Sequence, residues 1–456
     1  MRTAPLSPST STTTFNPDWE GAPVTELPPG VTFVAVQWID VHGATKAKLV
    51  PRAAWEATCA PGGGAGFAAF ANHGFARGPE HPEFVAIPDP TTLVVLPHRP
   101  DTAVAFSTVL DGERVATCDA RAILARQQRL AADRGLLPIA GMEPEFYLLR
   151  RRESDGALVP FDALDDLDKP CYDLKALLRV SPVLADVVAA MQQLGWQVSA
   201  LDHEDGNGQF EVNFHHADAL ATADRFTLLR TLIADVADGH GAIATFMPKP
   251  LAGRTGSGAH VHLSAQSPDG TNAFADASDA RGLGLSRLAY AFIGGVLDHA
   301  RALSALTMPT VNSYRRLHSS GGTSGATWSP RAIVYGANNR TAMLRVPGPG
   351  RFENRAVDGS CNPYLALAAM IAAGLDGVDR ELEPGTPIRG VAQPVGVATL
   401  PRTLADALDA MEGDVLLRDA LGEEAICEFI AVKRGEWSSY MESVSAWEQD
   451  LYLRRV

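Results

Sequence analysis

Apolar and polar positions change period several times along the chain, and those changes divide it. From Val31 to Val50 the run VTFVAVQWIDVHGATKAKLV alternates as a strand does and turns at His42-Gly43, which predicts a β-hairpin. A Gly-rich loop at Pro61–Gly66 follows, and together these predict a small β-rich domain. The period then lengthens. Asp119 precedes the helical pattern ARAILARQQRLAADRG, which ends at Gly135, so a helix begins there and the domain boundary falls just before it. Ser181-Pro182 and Asn362-Pro363 each place a cap residue before a proline, which predicts two more helix starts. Short strands lie between them, and no repeat is evident, so the remainder reads as an α+β domain running onward from residue 119. The longest apolar run, Tyr364–Leu375, is shorter than the roughly 18–20 residues a membrane span requires and predicts a buried helix.

Composition narrows the class. At 456 residues and 46% hydrophobic content the chain can bury a large core. Its net charge of -14 comes without a basic patch, which argues against nucleic acid or an anionic membrane as partner and favours small-molecule chemistry. Five cysteines stand singly, with no CxxC pair, and read as reduced thiols in a cytoplasmic protein. Residues 1–25, rich in Ser, Thr and Pro with no apolar core, read as a disordered tail and not a signal peptide.

The candidate chemistry lies in alternating segments. In GMEPEF, Glu143 and Glu145 are two apart among apolar neighbours, so a strand aims both carboxylates at one face, and adjacent like charges call for a cation. Glu204 and Glu211 flank the turn Asp205-Gly206-Asn207-Gly208, and a hairpin there brings two more carboxylates together. GSGAHVHL sets His260 and His262 on one side of a strand, and RFENR does the same for Arg351, Glu353 and Arg355. A carboxylate-rich set with one or two imidazoles suits Mg²⁺ or Mn²⁺ better than structural zinc. Arginines crowd the same third of the chain at Arg315, Arg316, Arg340, Arg345, Arg351 and Arg355, and guanidinium forks match carboxylate and phosphate oxygens. Metal with arginine points to phosphoryl transfer, and with neither a GxxxxGK[ST] loop nor a Rossmann GxGxxG the nucleotide must be held in another way.

GMEPEF, HEDGNGQFE, FMPKP, GSGAHVH, NSYRR, NNRTAMLR and RFENR followed by NPYL, in this order, resemble the glutamine synthetase superfamily from about residue 31 onward. DKPCYD, DHEDGNGQFE, SGATWSP and DGSCNPYLA resemble its type III group, which includes γ-glutamylmethylamide synthetases. The resemblance implies an α+β fold, with a β-grasp-like N-terminal domain over residues 26–118. A catalytic domain over 119–456 would carry an antiparallel sheet flanked by helices. It implies one metal held by Glu145, Glu204 and Glu211 and another by Glu143, His260 and Glu353, two to three Mg²⁺ or Mn²⁺ ions per site in all. Arg316, Arg340, Arg345 and Arg355, with Gly256 and His260, would hold glutamate and the transferred phosphoryl group; His262, Ser264, Arg351 and Arg340 would contact ATP. Tyr172 and Glu204, with Arg340 and Arg316, take the catalytic roles. The implied reaction joins the γ-carboxylate of glutamate to an amine through γ-glutamyl phosphate. The implied assembly is a homo-oligomeric ring, a dodecamer by expectation, with active sites shared between subunits.

The amine is addressed by departures from the family pattern. Ammonia-using members hold ammonium with acids in an N-terminal FDGSS-like loop and in a flap after NSYKR. Here Ala68 stands in the first place, and the flap from Leu317 to Thr323 has no carboxylate. Only Tyr172 and Glu204 remain of that pocket, and replacing the acids by Ala and Phe adds apolar volume, which favours a small primary amine carrying an alkyl or aryl group; the packing of Phe67, Phe70, Trp328 and the neighbouring subunit's loop sets which one. Glu204 or His318 is then the candidate acceptor of the amine's proton. Thr255 and Ala259 depart from the usual Asn and Met beside the GSG turn, which bears on the glutamate pocket. A glutamine synthetase using ammonia, or a non-catalytic family member, are the alternative readings.

Overall fold

A computed structural model describes residues 26–75, 77–317 and 329–455. The tail to residue 25 and most of the expected flap, 318–328 with His318 and Trp328, lie outside the described residues.

The N-terminal part is built on a seven-stranded sheet. Phe33–Ile39 and Thr45–Pro51 form the expected antiparallel hairpin, and Phe33–Ile39 also runs parallel to Arg99–Asp111. In the turn, Asp40 Oδ1 accepts from the amides of His42 and Ala44 at 3.0 Å. The buried face carries Val34, Val36 and Trp38, and Trp38 stacks on Phe67 at 4.2 Å between ring centroids. Phe67 therefore belongs to this core. Phe70, three residues on, is 54% exposed.

The second sheet has ten strands. Its central strand, Leu137–Arg151, pairs antiparallel with Ala259–Gln266 and with Gln209–Phe214, whose own hairpin partner is Val198–His203. Arg351–Asn354 extends the sheet beyond Ala259–Gln266, and the outer pair Tyr335–Ala337 and Leu344–Gly348 is parallel. Helices cover it. Pro363–Asp379, capped by Asn362, is buried almost throughout and packs with Ala120–Ala132, capped by Asp119, as the caps predict. No helix among the described residues is long and apolar enough to cross a membrane.

The expected start at Ser181-Pro182 is not one. The helix runs Leu174–Gln193, begins at Asp173, whose carboxylate accepts from the Ala176 amide at 2.8 Å, and contains Pro182. Proline cannot donate to the carbonyl of Leu178 four residues back, and the Ser181 hydroxyl donates to it at 2.8 Å instead.

Candidate active site

The register of the second sheet assembles the site. Strand alternation sends Glu143 and Glu145 to one face, and pairing sets His260 opposite Glu143 and Glu211 opposite Glu145. Glu353 comes across from the next strand, opposite His262. The outcome is two compact groups that share His260: Glu143, His260 and Glu353, and Glu145, Glu211 and His260, in each of which one ligand atom per residue lies within 4.8 Å of the others. His260 Nδ1 is 3.7 Å from Glu143 and 3.5 Å from Glu353, while its Nε2 is 3.7 Å from Glu145. Glu204 is in neither group, although it feels the charge of Glu145 and Arg340.

The two groups differ in how their charge is balanced. Burial opposes ionisation of Glu143, yet His260 and His262, the latter 2.9 Å away, hold its carboxyl well below the usual range. Burial also opposes ionisation of Glu353, but its neighbours prevail: His260, Arg355 and Arg345 keep it ionised, with Arg345 Nη1 at 2.8 Å and Arg355 donating to the other oxygen. At the other end, burial and then the Glu145 charge push both Glu204 and Glu211 upward. That half of the site is short of positive charge.

Gly258 brings its amide to Glu145 Oε2 at 2.8 Å, in a space with no room for a side chain. Gly256 is packed in the same way against Arg316, which is buried and donates to the carbonyls of Val357 and Arg355 at 3.2 and 3.1 Å. His262, Ser264 and Arg351 line a cleft of about 700 Å³ that opens beside Glu143, together with Asn213, His216 and Asn272. Another cleft of the same size, lined by His42, Arg230 and Lys433, contains none of the clustered carboxylates. Tyr172 is 63% exposed, has φ 64°, and is pinned by its amide to the carbonyl of His203 at 2.9 Å, with Glu204 and Arg340 among the charges acting on its phenol. Arg315 points away from this assembly, with its guanidinium over the ring of Tyr440.

Two residues with a part in the site carried no role in the sequence reading. Gln209 Nε2 donates to Glu145 at 3.0 Å and to Ser257 at 3.2 Å, tying the hairpin to the GSG turn, and Asn213 Nδ2 donates to Glu211 at 2.8 Å. Both share the strand face of Glu211 at a spacing of two, which was the available signal.

Residues 117–452 match the family model described as glutamine synthetase, catalytic domain. Over 433 residues the chain is 43% identical to the glutamate–methylamine ligase of Methyloversatilis universalis, covering 93% of this chain and 96% of that protein. It is 42% identical to a glutamine synthetase of Rhizobium leguminosarum bv. phaseoli, covering 93% and 97%. Among solved structures it superposes on "GmaS/ADP complex-Conformation 1" with a TM-score of 0.88 and 41% identity, over 93% of this chain and 97% of the other.

Proposed function

The chain belongs to the glutamine synthetase family, and we propose that within it the protein is an ATP-dependent carbon–nitrogen ligase joining the γ-carboxylate of glutamate to a small primary amine. The observation that carries the reading is the gathering of Glu143, Glu145, Glu211, His260 and Glu353 on adjoining strands beside a cleft lined by His262, Ser264 and Arg351. Oxygen donors with one imidazole, and carboxyls pushed upward for want of positive charge, fit hard divalent cations. Glu145, Glu204 and Glu211 would hold one Mg²⁺ or Mn²⁺ and Glu143, His260 and Glu353 another, with two to three ions per site. Such ions, once bound, neutralise the oxygens of a transferring phosphoryl group.

The protein's own residues bind and orient. Arg316, Arg345 and Arg355 grip the glutamate carboxylates beside Gly256 and His260, Arg340 meets the phosphoryl group, and the cleft of His262, Ser264 and Arg351 takes the nucleotide. An oxygen of the γ-carboxylate attacks the γ-phosphorus as its bond to ADP breaks, giving γ-glutamyl phosphate. The amine nitrogen then attacks the acyl carbon, phosphate leaves, and the amine's proton passes to a base, for which Glu204, with Tyr172 at its side, is the candidate.

A substituted amine is favoured over ammonia by Ala68 and by the similarity to a glutamate–methylamine ligase. Similar identity to glutamine synthetases keeps ammonia as the second reading. A cytoplasmic ring of identical subunits, a dodecamer with the 26–118 domain of one subunit completing its neighbour's site, accords with the family. The test is phosphate release from ATP with glutamate, Mg²⁺ and either ammonium, methylamine, ethylamine, isopropylamine or aniline, with products identified by mass. A substituted amine ahead of ammonium by more than about tenfold in kcat/KM supports the reading; ammonium in front makes the protein a glutamine synthetase, and no amine-dependent turnover removes both.

A further inference from the structure

Asp165 lies in the segment joining the strand Leu158–Pro160 to the helix Leu174–Gln193, and its side chain is only 2% exposed. Its carboxylate meets three groups of the hairpin that carries Glu204 and Glu211, at the end of one strand and in the turn. Oδ1 accepts from Asn207 Nδ2 at 3.0 Å, and Oδ2 accepts from the amide of Gly208 at 2.5 Å and from His203 Nε2 at 2.8 Å. The turn is shaped for this approach. Gly208 has φ 81°, and a side chain on Gly206 would start 2.0 Å from the Tyr147 hydroxyl.

His203 bridges the two sides: its Nδ1 is 2.7 Å from the carbonyl of Glu204 and its Nε2 2.8 Å from Asp165 Oδ2, with the ring fully buried against the buried carboxylate. The same segment runs on to Tyr172, whose amide binds the His203 carbonyl, so hairpin and segment are tied from both sides.

We propose that Asp165 is a positioning residue of the metal centre: through His203, Asn207 and Gly208 it sets the turn that holds Glu204 and Glu211 at their spacing, and joins that turn to the segment bearing Tyr172. This rests on the reading of Glu204 and Glu211 as metal ligands. Groups that orient metal ligands typically change metal affinity by about 10–100-fold when removed.

The test is Mn²⁺ binding without substrates, followed by the electron paramagnetic resonance of free Mn²⁺, on the full chain. Asp165→Asn keeps the shape but sets an NH₂ group against a donor, either the Asn207 amide or the Gly208 and His203 N–H groups. A loss of Mn²⁺ affinity of about tenfold or more, in a variant still folded by its thermal midpoint, is expected. Wild-type affinity in a folded Asp165→Asn protein overturns the proposal, because it leaves Asp165 with a structural role alone. Should Asp165→Asn not fold, Asn207→Ala removes one of the three contacts, and a loss of about threefold supports the proposal while none overturns it. Glu211→Gln is the separate control: if it binds Mn²⁺ as the wild type does, the metal-centre reading fails whatever Asp165 does.

Discussion

Gly258→Ala adds one carbon at the most crowded point of the site. That carbon would lie 2.8 Å from Arg316 Nη2, 2.8 Å from His260 Nε2 and 3.1 Å from Glu145 Oε1, against the roughly 3.5–4 Å of an ordinary contact. Something must move by about half an ångström or more, and each candidate to move is a group assigned to substrate or metal. Overpacking of this kind costs about 1–3 kcal/mol, and misplacement on this scale can lower turnover by about 100-fold. We expect kcat/KM to fall about 100-fold, equivalent to about 2.7 kcal/mol, with a drop of a few degrees in the thermal midpoint. Gly435→Ala is the matched control. Gly435 lies inside the helix Glu423–Glu442 with nothing within 4 Å of its would-be side chain, so the same added carbon should stabilise by about 0.5–1 kcal/mol and leave kcat/KM alone. The assay is steady-state kinetics and calorimetry on both variants. A Gly258→Ala enzyme within about threefold of wild type would refute the reasoning, since the three groups could then yield without consequence.

Two other perturbations test the electrostatics. Because folded Glu204 and Glu211 hold protons to higher pH than unfolded carboxyls do, stability without metal should fall as pH rises above the ordinary carboxylate range. Mg²⁺ should therefore raise the midpoint more at about pH 8.5 than at about pH 6, EDTA should reverse the gain, and an equal gain at both would count against a cation between these acids. His299 sits between Asp414 at 2.6 Å and Asp376 at 3.1 Å, with Asp298 and Arg380 close by, and against the cost of burial these aspartates raise its pKa. Its contribution should be complete below the unfolded value near 6.5 and be lost as pH rises through the folded value, so His299→Gln should flatten the dependence of the denaturation midpoint on pH over that window; an unchanged slope would remove His299 as its cause.

Much of this protein is legible from the chain because local rules decide it. Alternation with a period of two is enough to place Glu143 with Glu145 and His260 with His262 on common faces, and Asp119 and Asn362 announce the helices they cap. Where local signals compete, the chain misleads: Ser181-Pro182 has the look of a helix start, but Asp173 caps the helix earlier and the Ser181 hydroxyl, reaching back to Leu178, lets it continue. The sequence alone determined which side chains could face a common site and, through the order of its motifs, the family. Tertiary structure decided which faces meet: sheet register puts Glu211 across from Glu145, Arg345 and Arg355 close on Glu353, and Asp165 reaches the turn at Asn207 and Gly208. The reason is that periodicity is a property of neighbours in the chain, whereas a buried charge is stable only where groups far apart in sequence supply its partners.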